Sequence, residues 1–349
     1  MPHERTIQRP AFTLIELLVV IAIIAVIISI LLPSLAGARA EGRAIKAAAA
    51  IRSVGQGVAA YTTERHDMFP PHYVYGADEE STRWKEEDQQ ETNPTPANGY
   101  VHWSWILFED GFTPDDAFTT SAVTNGGAPR TNPGRNPNDW EPGQANDLGQ
   151  SCCAELPRDR QVRRMAFTGN HAIFPRNKFN TGTRRRNKLV RGSAIDASAF
   201  GSAGVILAGE FHDNGNSWTS LSDTTQVGGS ERLIKSHRPI TPFLGKSSGI
   251  DVFNEPDRGR IARFEYPPLT AILSPEELRG REDLLGNGSQ TTLNAIGRHH
   301  PGSTSNFVFV DGHVERLKVI DTVKKRMWGD RFWSITGNNK VDLQSNLGN

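Results

Sequence analysis

Residues 9–40 read RPAFTLIELLVVIAIIAVIISILLPSLAGARA, and this stretch decides how the whole chain is organised. From Leu17 to Leu32 every residue is apolar except Ser29. With Phe12–Glu16 before it and Ser34–Ala38 after it, the run is long enough for a bilayer-spanning helix, which needs about 20 residues at a rise of about 1.5 Å each. Arg5 and Arg9 precede it and Glu4 is the leader's one acid. The positive-inside bias then puts residues 1–11 in the cytoplasm and the bulk of the chain outside. Glu16 sits at the edge of the apolar run, where an ionised carboxylate is costly without a partner.

Three accounts of this run compete. In an ordinary anchor, Glu16 is an acid snorkelling at a helix end. A secretory signal would be cut after the run, for instance after Ala38 or Ala40 in PSLAGARA. The run is longer than a signal core, however, and the helical pattern continues past it. Ala40, Ala44, Ala47, Ile51, Val54, Val58 and Tyr61 recur at spacings of four and three, an apolar stripe along one face. Arg39, Arg43, Lys46, Arg52 and Gln56 lie mostly off that stripe. The pattern predicts one helix from about Phe12 to about Glu64, apolar all round over 12–38 and amphipathic over 39–64. Pro33 should kink or locally melt it, and Pro70 and Pro71 should end the segment that runs to residue 69.

The third account is a resemblance. AFTLIELLVVIAIIAVIISILLPSL resembles the N-terminal methylation motif of type IV pilins and type II secretion pseudopilins. The resemblance implies a leader at 1–11, removed by a prepilin peptidase between Ala11 and Phe12, and N-methylation of Phe12. It also implies assembly through Glu16, whose family counterpart meets the N-terminal amine of a neighbouring subunit, and a helix-breaking role for Pro33. Ala11 departs from the family's usual glycine before the cut. The implied fold is α+β and pilin-like: the long helix packed on a small antiparallel sheet, in a head (70–349) with long loop insertions. The implied partners are the prepilin peptidase, other pilin or pseudopilin subunits, the inner-membrane assembly platform and membrane lipid. The implied location is the inner membrane, single-pass with the head extracytoplasmic, and then a pseudopilus or pilus.

Bulk properties add limits. The 349 residues suffice for a sizeable core. Lys+Arg and Asp+Glu both total 39, so net charge favours no polyanionic partner and no nucleic acid is expected. With 33 Gly, 21 Pro and only 37% apolar residues, the rest of the chain should be loop-rich. Cys152 and Cys153 are adjacent and bridge only through a strained ring, so two free thiols in a loop are expected. Residues 75–91 read as an acidic solvated segment, and residues 113–150 as a long surface loop. Trp103, Trp105 and Phe108 should anchor a buried segment, and RMAFTGNHAIF and GSAGVILAGEF should hold strands. Arg184, Arg185, Arg186, Lys188 and Arg191, with Arg158, Arg160, Arg163 and Arg164 upstream, make a basic patch, read as solvated and paired with acids elsewhere.

Near the C-terminus, GRHHPGSTSNFVFVDGHVERLKV places Asp311-Gly312 between two apolar runs, a signal for a tight two-residue hairpin within about 295–320. Phe307 and Phe309 should share one strand face, and Val308 and Val310 the other. The segment resembles the H-X9-DG terminus of planctomycete-type pilin-like proteins, with ten residues rather than nine between His300 and Asp311. His299, His300, Asp311 and His313 have the residue types of a metal site, as do Glu210, His212 and Asp213. Hairpin geometry counts against convergence of the first set, so packing and hydrogen bonding are expected there, with no metal and no cofactor. No nucleophile elbow, Walker loop, zinc-protease motif or paired catalytic carboxylates are readable, and the chain is expected not to be an enzyme. A membrane-anchored extracytoplasmic ligand- or metal-binding protein remains the alternative.

Overall fold

A computed structural model describes residues 13–76, 84, 99–153, 158–177, 179, 187–213, 216–219, 221, 226–228, 231–245, 264–279 and 291–344. The leader, with Ala11 and Phe12, lies outside them, as do Arg184–Arg186 and most of the acidic stretch after Tyr75. Contacts divide the chain into two units, residues 1–42 and 43–349. Helix α1, Leu14–Glu64, runs through both.

In the first unit the large apolar side chains from Leu14 to Leu35 are exposed, and the helix is long and apolar enough to cross a membrane. Helix α1 is unbroken at Pro33, so the expected local melting does not occur. Proline removes a single ladder bond, and the turns on both sides keep theirs. The Ser29 and Ser34 hydroxyls donate to the Val26 and Leu31 carbonyls, at 2.7 and 2.9 Å.

In the second unit the stripe is buried as its spacing requires: Ala44, Ala47, Ile51, Val54, Val58 and Tyr61 face inward, while Arg43, Lys46, Arg52 and Gln56 are exposed. The helix ends before the prolines are reached. His66 and Asp67 adopt left-handed backbone (φ 55° and 70°), and Asp67 N–H returns to the Thr62 carbonyl at 2.8 Å, a Schellman-type stop.

Among the described residues twelve short strands follow: β1 (Tyr73–Tyr75), β2 (Tyr100–His102), β3 (Gln144–Ala145), β4 (Phe167–Gly169), β5 (Ile206–Glu210), β6 (Gln226–Gly228), β7 (Glu231–Leu233), β8 (Leu244–Gly245), β9 (Phe264–Glu265), β10 (Ser305–Phe309), β11 (Val314–Leu317) and β12 (Val341–Asp342). The central sheet is antiparallel, in the order β11-β10-β5-β4. Two three-stranded sheets, β12-β9-β8 and β3-β7-β6, each contain one parallel pair, and β1-β2 form a ribbon. The architecture is thus mixed α+β. β5 and β10 are buried along their whole length because both sheet faces are covered. Phe307, Phe309, Phe167, Phe211, Trp103 and Trp328 belong to the core around them.

The helix approaches the sheet closely at Gly55. A Cβ there would stand 2.6 Å from Val308 Cγ2. Gly55→Ala is therefore expected to lower the head's stability by about 1 kcal/mol or more, because overpacking outweighs the gain in helix propensity. Gly42, where a Cβ meets nothing within 4 Å, is the control and should tolerate alanine. Thermal unfolding of the detergent-solubilised chain checks both, and an unchanged Gly55→Ala midpoint would refute the close-packing account.

Three expectations are corrected here. Residues 113–150 are irregular but packed inward: Phe118, Ala128, Thr131, Asn132 and Gln144 are buried. Many of their polar groups find partners inside the head, as where Arg130 Nε donates to the Gln161 carbonyl and Gln144 Nε2 to the Arg130 carbonyl, both at 2.7 Å. Cys152 and Cys153 are joined as a vicinal disulfide with Cα atoms 3.3 Å apart; in this turn, adjacency brings the two sulfurs together. Of the aromatic anchors, Trp103 is buried at the start of the helix Trp103–Glu109, whereas Phe108 is exposed. In the basic patch, Arg163 pairs with Asp139 at 2.8 Å and Arg164 with Glu141.

Candidate functional site

Two places gather the polar residues singled out above, one in each unit. The first is the start of α1. Thr13 precedes the first helical residue, and its backbone N–H and hydroxyl both donate to Glu16 Oε2 at 2.8 Å. Glu16 N–H donates back to Thr13 Oγ1 at 3.2 Å. This is a reciprocal capping box, satisfying helix-end donors that have no intrahelical acceptor. The Thr-x-x-Glu pattern was present in the sequence as a signal for it. Glu16 thus accepts two hydrogen bonds from neutral groups of Thr13, and among the described residues no cation pairs with it.

The second is a buried cluster where β5 meets the chain entering β10. Glu210 ends β5 with its side chain fully buried. Its Oε2 accepts from His300 Nε2 and from the backbone N–H of Asn306, each at 2.8 Å. A carboxylate only accepts, so in the ion-free site this bond takes the His300 proton from Nε2, and Asn306 Nδ2 lies 3.1 Å from the same nitrogen. Asn306 Nδ2 donates in turn to the Ala44 carbonyl of α1 at 3.1 Å, which ties the cluster to the amphipathic half of the helix. His299 lies beside His300, with Nε2 4.0 Å from Glu210 Oε1. Burial pushes the His299 ring down to about 4, against the pull of Glu210, so it is neutral near pH 7.

The two sets of candidate ligands are therefore regrouped. His299 and His300 join Glu210, and among the described residues these three form the grouping able to hold a metal ion. His212 instead pairs with Asp213 at 2.7 Å, and its ring centre is 6.4 Å from that of His299. Asp311 and His313 pair with each other at the partly exposed hairpin tip, where His313 Nδ1 is 2.5 Å from Asp311 Oδ1 and its ring stacks on Phe309.

The hairpin turn is also longer than expected. Gly312 N–H returns to the Phe309 carbonyl and Phe309 N–H donates to the His313 carbonyl, both at 2.9 Å, with Gly312 at φ 88°. That is a three-residue loop, 310–312, whose left-handed last position favours glycine, rather than a two-residue turn. His300 and Asp311-Gly312 thus bracket β10 and do separate jobs at its two ends. Asn306 was not anticipated; its one sequence signal is an amide directly before the apolar run FVFV.

A family model described as the prokaryotic N-terminal methylation motif matches residues 9–32. The chain carries that motif. It marks the N-terminus as that of a type IV pilin-like prepilin peptidase substrate, and the long apolar helix is consistent with membrane anchoring. No curated protein and no solved structure matches the chain.

Proposed function

We propose that this chain is a pseudopilin-like structural subunit that assembles through α1 into a type II secretion pseudopilus or a type IV pilus-like filament. The methylation motif over residues 9–32 carries the reading. The two halves of α1 support it, since the apolar half is suited to lipid or a filament core and the amphipathic half is docked in the head.

On this reading the peptidase cuts between Ala11 and Phe12, and the new Phe12 amine is methylated. The subunit sits in the inner membrane with its head extracytoplasmic, as Arg5 and Arg9 favour. Its partners are the peptidase, other pilin-type subunits and the assembly platform, and its role is structural rather than catalytic. The capping box sharpens what Glu16 does. Thr13 supplies hydrogen bonds but no charge, so a cationic N-terminal amine from a neighbouring subunit adds the missing compensation and rewards correct register.

Mass spectrometry of the mature protein tests processing. A methylated Phe12 terminus is expected, and a retained Met1 would overturn the reading. Glu16→Ala is expected to insert in the membrane normally yet be lost from the sheared filament fraction; normal incorporation would refute the role assigned to Glu16.

A further inference from the structure

We propose that Glu210, His299 and His300 form a binding site for a divalent transition-metal ion of the zinc class. One ligand atom from each residue lies within 4.8 Å of the other two. Two ligand atoms each about 2.1 Å from one ion are at most about 4.2 Å apart. His300 Nε2 is 2.8 Å from Glu210 Oε2, and His299 Nε2 is 4.0 Å from Glu210 Oε1, so these two pairs fit that limit. Binding exchanges the His300–Glu210 hydrogen bond for ligation, with the imidazole proton on Nδ1 so that the Nε2 lone pair faces the ion. The side chains are nearly inaccessible, at 0% for Glu210, 6% for His299 and 2% for His300.

Unsatisfied polar atoms point to a missing ligand. Glu210 Oε1 and both ring nitrogens of His299 are buried without a hydrogen-bond partner. Native proteins rarely leave such groups orphaned, and an ion, an unseen occupant or a catalytic role commonly accounts for them. An ion between the three residues would engage Glu210 Oε1 and one His299 nitrogen together. The surrounding chain is shaped to hold the ring: a Cβ on Gly297 would stand 2.5 Å from His299 Cε1 and 2.6 Å from its Nδ1. The bond from Asn306 N–H to Glu210 Oε2 is the kind of outer-shell contact that orients a carboxylate ligand.

The donor set decides the class of ion. Two imidazoles and one carboxylate suit zinc and its transition-metal neighbours, whereas calcium and magnesium take oxygen ligands. Three protein ligands leave a further position for water or a bound group. The inference does not depend on filament assembly, because every residue in it belongs to the head.

The test uses the full chain in detergent, stripped with chelator and dialysed against zinc or cobalt(II). One equivalent of metal per chain is expected, with cobalt showing the visible absorption of a low-coordinate nitrogen–oxygen site. His299→Ala removes no hydrogen bond from Glu210 or His300 and should weaken binding about 100-fold or more, since losing an outer-shell partner alone costs about 10–100-fold. His313→Ala, at the hairpin tip, should leave the stoichiometry unchanged. Circular dichroism of the stripped variants reports folding, and His299→Gln replaces His299→Ala if the latter misfolds. Negligible binding by the unmutated chain, wild-type affinity in the His299 variant, or loss of metal on His313→Ala would each overturn the proposal.

Discussion

Acidification from about pH 7.5 to about pH 5 is expected to strip the head of much of its stability, because histidines are buried there in neutral form. His72 is held down to about 3, chiefly by burial, and His102, His171 and His237 well below 6.5 for the same reason. Their hydrogen bonds require a lone pair or a fixed tautomer. His72 Nδ1–H donates to the His237 carbonyl at 2.9 Å, while its Nε2 accepts from Gly169 N–H at 3.0 Å. His102 Nδ1 accepts from Ser104 N–H at 3.2 Å, capping the helix Trp103–Glu109.

Below pH 6.5 the unfolded chain takes up protons that the native state refuses, so stability falls as pH drops, by about 1.4 kcal/mol per pH unit for each such histidine. Asp159 works in the opposite sense. Burial raises it to about 6, so between 3.8 and 6 the native state holds a proton that the unfolded chain lacks. His299, pushed down to about 4, adds a fifth. Five histidines against one aspartate leave a net loss of about 5 kcal/mol per pH unit below pH 6, large beside a typical domain stability of about 5–15 kcal/mol. Urea unfolding of the detergent-solubilised chain, followed by near-ultraviolet circular dichroism at several pH values, measures the slope. A midpoint that does not move between these pH values would show that the histidines are not buried as described.

Replacing Glu210 by alanine is expected to cost about 3–5 kcal/mol, because two buried donors lose their acceptor at about 1–3 kcal/mol each. The loss has identifiable parts. His300 Nε2–H and Asn306 N–H lose their shared acceptor, and both residues are buried. Asn306 also holds the Ala44 carbonyl of α1, so disturbing it loosens the seat of the helix. Glu210→Gln keeps one acceptor oxygen and should cost less, about 1–3 kcal/mol. Chemical denaturation with chelator present isolates the protein's own contribution from that of any bound ion. A Glu210→Ala variant within about 0.5 kcal/mol of wild type, the usual surface range, would mean that the cluster does not support the fold.

The parts legible in the sequence were those with a local cause. An apolar run with one serine between Leu17 and Leu32, and a stripe at spacings of four and three, specify α1 and its buried face without reference to the rest of the chain. Strands β4, β5 and β10 were visible as short apolar runs between turn residues, and the hairpin as Asp311-Gly312 between two such runs. The turn length was missed because two- and three-residue loops share the same Asp-Gly signal and differ in which residue takes the left-handed position. The inward packing of 113–150 was missed because polar composition resembles solvent exposure unless the internal acceptors are known, and Arg130 finds its acceptor at Gln161.

The sequence by itself determined the N-terminal helix of this protein. Helix periodicity, the methylation motif and the Thr13–Glu16 cap are all set by residues a few positions apart. Only the tertiary structure decided the company of Glu210. In sequence its neighbours are His212 and Asp213, and 90 positions separate it from His300. Antiparallel pairing of β5 with β10 brings the end of one strand beside the start of the other, and so turns two unremarkable polar groups into one buried site. Register between distant strands is a property of the assembled sheet, and no local pattern encodes it.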